Sequence, residues 1–398
     1  MSRRRTAKGT TRPVIRARGP ADLVAAVPYL VGFVPARSVV LVSLRGPRLR
    51  FGLVARLDLP PDGFEREAVQ ALCDFVRRDG PREVVALVYD DSPWQRKRRP
   101  WQQLINSIEA ELAGDDPPVP VREALYVTPE RFYSYTCTFS QCCPHAGWPL
   151  TDIVASPVAA AYVFEGRAPL ADRQSLSKRV AAGGPLTLAA VENVLVAEVA
   201  RVAPWWLSEG APRWAAWQRQ TLSVFDEVAR RYMAGGASIS GDEAGRLLAG
   251  LLDITTRDVV ATVWTRWWEG LTRSVPESDD PLARLVLDLA ADVPPPPDLT
   301  DPAVQQGVEQ LLVDLAVRSD GEAALAPLTL LAMQSWAHGN GAQAAVAVER
   351  ALRLDPTYRL AGLVDTLLRS GMAPQWVASD RAHDESLPPR SPNVPLTG

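Results

Sequence analysis

Lysine is nearly missing from this chain. Of its 43 basic residues only Lys8, Lys97 and Lys178 are lysines. None stands in a glycine-rich loop, which argues against a phosphate-loop lysine or a Schiff-base lysine. Histidine is equally scarce, with His145, His338 and His383 alone, so a Ser-His-Asp triad would have to recruit His145 or His338, and nothing near either suggests one. The patterns GxSxG, HExxH and GxxxxGK[ST] do not occur, which leaves no familiar hydrolase, zinc-protease or phosphate-loop signature. The stretch Gly339 to Ala344 fits GxGxxA in letters, but it follows a helical pattern where a dinucleotide site needs a strand. Four cysteines in 398 residues do not make a disulfide scaffold, and a reducing cytoplasm is expected. Long apolar runs are lacking too. The stretches around residues 23–36 and 324–337 are interrupted by proline and fall short of the roughly 18–20 residues a bilayer span needs, so no membrane contact is expected. Arg3, Arg4 and Arg5 are followed by no apolar segment, so no secretory or twin-arginine signal is read.

What is present is a globular composition. Hydrophobic residues make up 47% and charged residues 22%, and the length leaves room for two or three domains. The formal charge of −3 conceals a basic N-terminus ahead of an acidic body. Residues 1–13 read as a basic disordered tail and 14–165 as an α/β domain, a mixed sheet with covering helices. In that domain a helix near Asp22 to Leu30 precedes strands at Ser38–Leu44 and Leu49–Leu59, most economically a hairpin. A helix over Phe64–Arg78, a strand at Val84–Tyr89, a helix over Trp101–Leu112 and a strand at Arg122–Val127 then alternate as layered α/β domains do. From Pro185 strand signals vanish. Residues 185–292 read as a Trp-rich helical region, 293–298 as a polyproline spacer, 299–380 as a tetratricopeptide-like helical unit and 384–398 as a Pro-rich disordered tail. In the helical unit Leu331, Ala332, Gly339, Ala344, Ala351 and Pro356 fall at the packing positions of a tetratricopeptide helix pair. One such pair cannot bury its face alone, so helices at 302–318 and 357–370 should cover it.

Several separated segments resemble, in order, the actinobacterial family called domain of unknown function 4192. They are Asp22-Leu23, Pro28-Tyr29-Leu30, Gly32-Phe33, Pro35 with Ser38-Val39-Val40-Leu41, and Ala55 to Pro60. Further on come Ser134-Tyr135, Cys137, Cys142-Cys143-Pro144, Gly147, and Asp355-Pro356 with Tyr358. The resemblance spans about residues 14–378 and implies almost nothing about activity.

The strongest chemical signal is Cys137, Cys142, Cys143 and His145, four soft or borderline ligands within nine residues. Zinc is the metal such a set suits, yet a tetrahedral site normally joins two distant ligand pairs and no second pair is visible. No cofactor is therefore predicted, and a buried structural cluster is the leading reading, with zinc and thiol redox chemistry behind it. A second candidate lies at strand ends, where open α/β sheets place ligands. Arg56 and Asp58 close one strand, and Asp90 and Asp91 follow another, so the carboxylates would converge on a cation or act as acid and base if those strands were neighbours; the leading reading is a local backbone or Arg hydrogen bond on Asp58 and a solvated loop at Asp90-Asp91. The segment from Trp94 to Trp101 interleaves Arg96, Lys97, Arg98 and Arg99 with aromatics, a footprint of phosphate binding. The acidic body and the lack of a recognition helix argue against nucleic acid. Trp205, Trp206, Trp214, Trp217, Trp264, Trp267 and Trp268 read chiefly as core packing between helices. The functional expectation is a protein-binding or regulatory module that contacts another protein through its helical region. An enzyme with a strand-end site and a nucleic-acid-associated protein are the alternatives.

Overall fold

The computed structural model describes residues 19–372 and 374, apart from 61, 62, 64, 138, 140, 155, 165, 166, 208–210, 237, 266–280, 292, 294–297 and 373. The basic N-terminal tail, the prolines of the expected spacer, Trp267, Trp268, His383 and the Pro-rich tail lie outside the described residues.

Helix α1 (Pro20–Val31) begins with a proline whose missing N–H costs nothing in a first turn. It closes at Gly32, held at φ 89° with its N–H on Pro28 O, the left-handed cap that glycine adopts without strain. Strands β1 (Ser38–Arg45) and β2 (Arg50–Asp58) follow as an antiparallel pair. Next come α2 (Arg66–Arg77), β3 (Glu83–Tyr89), α3 (Gln102–Ala113) and β4 (Val121–Val127), with β3 and β4 parallel. Two short strands unforeseen from the sequence, β5 (Arg131–Ser134) and β6 (Trp148–Pro149), extend the sheet antiparallel to order β2-β1-β3-β4-β5-β6. Their brevity explains the omission, since four and two residues are too few for a period to emerge.

The period of two along the central strands sends side chains to both faces. Val39, Leu41, Val84, Ala86, Val88, Ala124 and Tyr126 pack under α2 and α3. Val40, Val42, Leu44, Val85, Leu87, Leu125 and Val127 belong to the opposite core, which also takes in α1, α4 (Thr151–Val154) and α5 (Pro157–Phe164). The α/β unit reaches a little past residue 165, because Leu170 pairs with Phe33 and exchanges backbone hydrogen bonds with Gly32 and Val34.

The helical half comprises α6 (Arg173–Arg179), α7 (Pro185–Leu207), α8 (Ala211–Met233), α9 (Gly241–Leu251), α10 (Ile254–Trp264), α11 (Pro281–Ala291), α12 (Pro302–Val317), α13 (Glu322–Ala337), α14 (Gly341–Leu354) and α15 (Arg359–Arg369). Every residue of α13 from Ala324 to Ala337 is buried, the environment that an all-round apolar helix requires. It packs against α14 and, as expected of flanking helices, is covered by α12 and α15. Glycines permit close approach of helix backbones: a Cβ on Gly245 would fall 2.9 Å from Val191 O of α7, and one on Gly307 2.7 Å from Met233 N of α8. The core on the α1 face of the sheet is continuous with that of the helices.

One polar node ties the ends of two helices to a third. Buried Arg350 of α14 donates to Val180 O beyond α6, to Ala316 O of α12 at 2.8 Å and to Ser319 O at 2.9 Å, with the Asp320 carboxylate 3.6 Å away. The fork of five donors suits carbonyls left unpaired at helix ends. Arg350→Met should strand these acceptors and lower stability by about 3 kcal/mol, read as a shift of the urea unfolding midpoint. An unchanged midpoint would show that the node is dispensable.

Candidate thiol site and strand-end carboxylates

Cys137, Cys142 and Cys143 lie in the connection between β5 and β6. Ser134 Oγ accepts the N–H groups of Thr136 at 3.2 Å and Cys137 at 3.0 Å, a side-chain turn that swings the chain off β5. Cys143 N–H returns to Phe139 O at 2.7 Å, which folds the two ends of the motif onto each other. At the far end Gly147 takes φ 72°, and a Cβ there would sit 2.5 Å from the Tyr133 ring, so only glycine lets the loop lie flat on β5. Arg131 donates to Ala146 O and Gly147 O, both at 2.9 Å.

The three sulfurs consequently meet. Cys137 Sγ is 3.1 Å from Cys142 Sγ, Cys142 Sγ is 3.7 Å from Cys143 Sγ, and all three lie within 4.8 Å of one another. No disulfide links them. Hydrogen bonds from the Cys143 and Cys142 thiols hold Cys137 below the ordinary thiol range. The same bond to Cys137 raises Cys142, and burial followed by those bonds raises Cys143. The trio therefore favours one thiolate, at Cys137, stabilised by two thiol donors. Burial does not match the expectation of a packed structural cluster, because Cys142 is exposed and the other two only half-buried. Cys73, by contrast, is fully buried in α2, and its thiol is pushed up to about 12, mainly by burial.

His145 stands apart from the sulfurs. Arg96 Nη1 lies 2.7 Å from its Nδ1 and 2.8 Å from its Nε2. Arg96 and Arg99 share with Cys137, Cys143, His145, Trp94 and Tyr133 the lining of a small hollow beside the thiols. Trp94 stacks on Tyr133 at 5.0 Å and meets Tyr135 edge-on at 5.3 Å. Arg99 donates to Tyr135 O and lies over the Trp94 ring. Trp101 gives its N–H to Asp90 at 2.9 Å. The aromatics that looked available for stacking bases are thus engaged within the fold, while Arg96, Lys97 and Arg98 are the exposed basic residues of this segment.

The strand-end carboxylates are not brought together. Ser38 at the start of β1 pairs with Asp58 on one side and Tyr89 on the other, so a whole strand separates the ends of β2 and β3. Asp58 is exposed and paired with Arg56 at 2.5 Å, while the Arg56 guanidinium lies over Phe33. Asp91 is exposed. Asp90 is buried and accepts from Ser92 at 2.7 Å as well as from Trp101. Burial tends to raise its pKa, but bonds from Trp101, Ser92 and the Asp91 amide, with the charge of Arg37, outweigh burial and hold it below the usual carboxylate range. Ser38 Oγ and Tyr89 Oη are buried at this edge without a hydrogen-bond partner among the described residues. Of the tryptophans, Trp217 and Trp264 are core residues, the first donating to Glu198 at 2.8 Å.

A surface feature that the sequence reading passed over belongs to α7. Its inner side meets α9, with Val191 and Val202 buried. Leu186, Ala189, Ala190, Glu192, Asn193, Val196, Ala197, Val199 and Ala200 are exposed, Leu186 to 89% and Val196 to 56%. Over residues 186–200 this outer face carries one exposed charge, Glu192, and exposed Arg201, paired with Glu198, follows it.

The chain belongs to the family Domain of unknown function (DUF4192), whose profile matches residues 20–375. No curated protein and no solved structure matches it. No helix among the described residues is long and apolar enough to cross a membrane.

Limiting alkylation of the reduced native protein near neutral pH, mapped by mass spectrometry, should label Cys137 first and leave Cys73 untouched until unfolding. Because its folded pKa lies below the ordinary value, the Cys137 rate should reach its plateau at lower pH than that of a free thiol. Early labelling of Cys73 would contradict the burial described.

Proposed function

We propose that this protein is a protein-binding module that docks through the outer face of α7. The observation that carries the reading is the exposed, nearly uncharged stripe of that helix, since a contiguous apolar surface on a soluble fold marks a contact site. Leu186, Ala189, Asn193, Val196, Ala200 and Ala203 recur at alternating intervals of three and four residues, the spacing of a helix-pairing seam. Alanines allow two backbones to approach closely, and a single asparagine within the seam favours one register. The occupant that fits is α7 of a second copy, which presents the same stripe. A helix of 23 residues is about 35 Å long, and a seam about 10 Å wide covers roughly 350 Å² on each partner. That is under half of a standard interface, so the association should be reversible.

The alternatives have less support. A strand-end catalytic pair would need Asp58 and Asp90 to share a site, but they flank β1 and have local partners. Nucleic-acid binding through residues 94–101 would need free aromatic faces, which Trp94 and Trp101 do not offer.

Sedimentation equilibrium of the full chain should show a monomer–dimer balance with a dissociation constant on the order of micromolar to tens of micromolar. Val196→Glu together with Ala200→Glu should abolish it while leaving the circular dichroism spectrum unchanged, because both positions are exposed. A wild type that stays monomeric at several hundred micromolar, or a dimer indifferent to the two glutamates, would overturn the reading.

A further inference from the structure

We propose that Cys137, Cys142 and Cys143 form a three-thiolate site for a thiophilic d10 metal ion such as Zn2+, with a further coordination position open to solvent. The spacing of the sulfurs is the first support. Metal–sulfur bonds of about 2.3 Å at tetrahedral angles place sulfurs roughly 3.8 Å apart. The 3.7 Å between Cys142 and Cys143 already meets that value, and the 3.1 Å between Cys137 and Cys142 lies closer to it than to a covalent S–S bond.

Exposure is the second. Structural cysteines are small hydrophobes and are found inside, as Cys73 is. Three thiols held together at a surface gain little from packing, and their convergence is instead built by the loop: the Ser134 hydroxyl on the Cys137 amide, the Cys143 amide on Phe139 O, and Gly147 pressed onto β5. Charge is the third. Three thiolates around a divalent ion leave a net charge of −1, and the guanidinium groups of Arg96 and Arg99 line the adjoining hollow, where they offset it. On binding, each S–H replaced by a metal–sulfur bond releases its proton to solvent, so no oxidant or reductant is required.

His145 is not assigned as a ligand, because its ring nitrogens face Arg96. The open position, beside two guanidinium groups, would take water or an exogenous anionic donor.

The full chain, reduced and stripped of metal, is titrated with Zn2+ against a chromophoric chelator, and with Co2+ as a spectroscopic probe. One ion per chain is expected, with an intense thiolate-to-Co2+ charge-transfer band. Cys142→Ser, at an exposed position where folding should not suffer, is expected to weaken Zn2+ binding on the order of 100-fold or more. Cys73→Ser and His145→Ala should bind as the wild type does. Far-ultraviolet circular dichroism establishes that Cys142→Ser is folded; if it is not, Cys142→Ala serves in its place. Failure to compete with the chelator, a Cys142→Ser variant whose Zn2+ affinity and charge-transfer intensity equal those of the wild type, or binding lost in His145→Ala but retained in the Cys142 variant would each overturn the three-thiolate site.

Discussion

The structure depends on a sheet buried on both faces, with the core on its α1 face continuous with that of the helical half. Val40, Val42, Val85, Leu87 and Leu125 point toward α1, and the apolar cluster they begin runs without a break through α6 to α13. A central strand such as β3, apolar at nearly every position, has no face it can leave in water, so it specifies cover on both sides. The cover on the α2 and α3 side is local in sequence. On the other side α1, α4 and α5 supply it, and the apolar cluster continues from them into the helical half. Polar links also join parts distant in sequence: Arg78 of the α2 end reaches Ser370 O beyond α15, and Arg173 of α6 pairs with Glu349 of α14 at 2.5 Å. Such partly exposed pairs add little energy, and they act chiefly to fix the relative placement of surfaces that hydrophobic contact alone leaves free to slide.

The thiol loop gains its position from a second, smaller hierarchy. Asp90 leaves β3 with its amide on Val127 O and its carboxylate on Ser92 and Trp101. That fixes both ends of the segment leading into α3. Tyr126 and Tyr135 then donate to Ser92 O at 2.6 Å and Pro100 O at 2.7 Å, and Trp94 is wedged among Tyr126, Tyr133 and Tyr135. The segment thereby becomes a lid on the aromatic side of β4 and β5, and it delivers Arg96 and Arg99 to the edge of the cysteine connection. A buried carboxylate at a strand end, a residue type usually examined for catalysis, acts here as the anchor for positive charge some distance away.

Much of the fold was legible because its signals are long. The 23-residue helices α7 and α8, the alternation through β3, α3 and β4, and the Gly339 turn before α14 all repeat a period often enough to be read. The pair β5 and β6 was not, and with it went the geometry that makes the site, since the convergence of the sulfurs depends on a hairpin whose strands are shorter than any period. The residues themselves were legible: Cys137, Cys142 and Cys143 stood out by type and spacing, while the separation of His145 from them could not be read from a spacing of two. The strand-end idea failed on topology. Asp58 and Asp90 close strands that read as candidates for neighbours, and only the order β2-β1-β3 shows a strand between them. The face of α7 was missed for another reason. Apolar residues occupy nearly its whole circumference, so its sequence marks no outer side, and only the packing of α9 on one side shows which face is left exposed.

That circumference bears on how α7 differs from α13, the other helix that is apolar nearly all round. Helix α13 satisfies its composition within the chain, with α9, α10, α12, α14 and α15 packed against it. Among the described residues helix α7 meets chiefly α9, with a smaller contact with α8, and its outer face is exposed. Exposing a leucine and a valine costs about 2 kcal/mol each relative to burial. That cost is not offset by local hydrogen bonding, because the helix already pairs its own backbone. Nor is the apolar face needed to make α7 a helix, for which exposed glutamate, lysine or arginine would serve as well. An uncharged outer face is therefore in excess of what the fold of one chain requires, whereas on α13 the same composition is fully used, and the difference between these two helices is the physical ground for assigning α7 a surface to cover it.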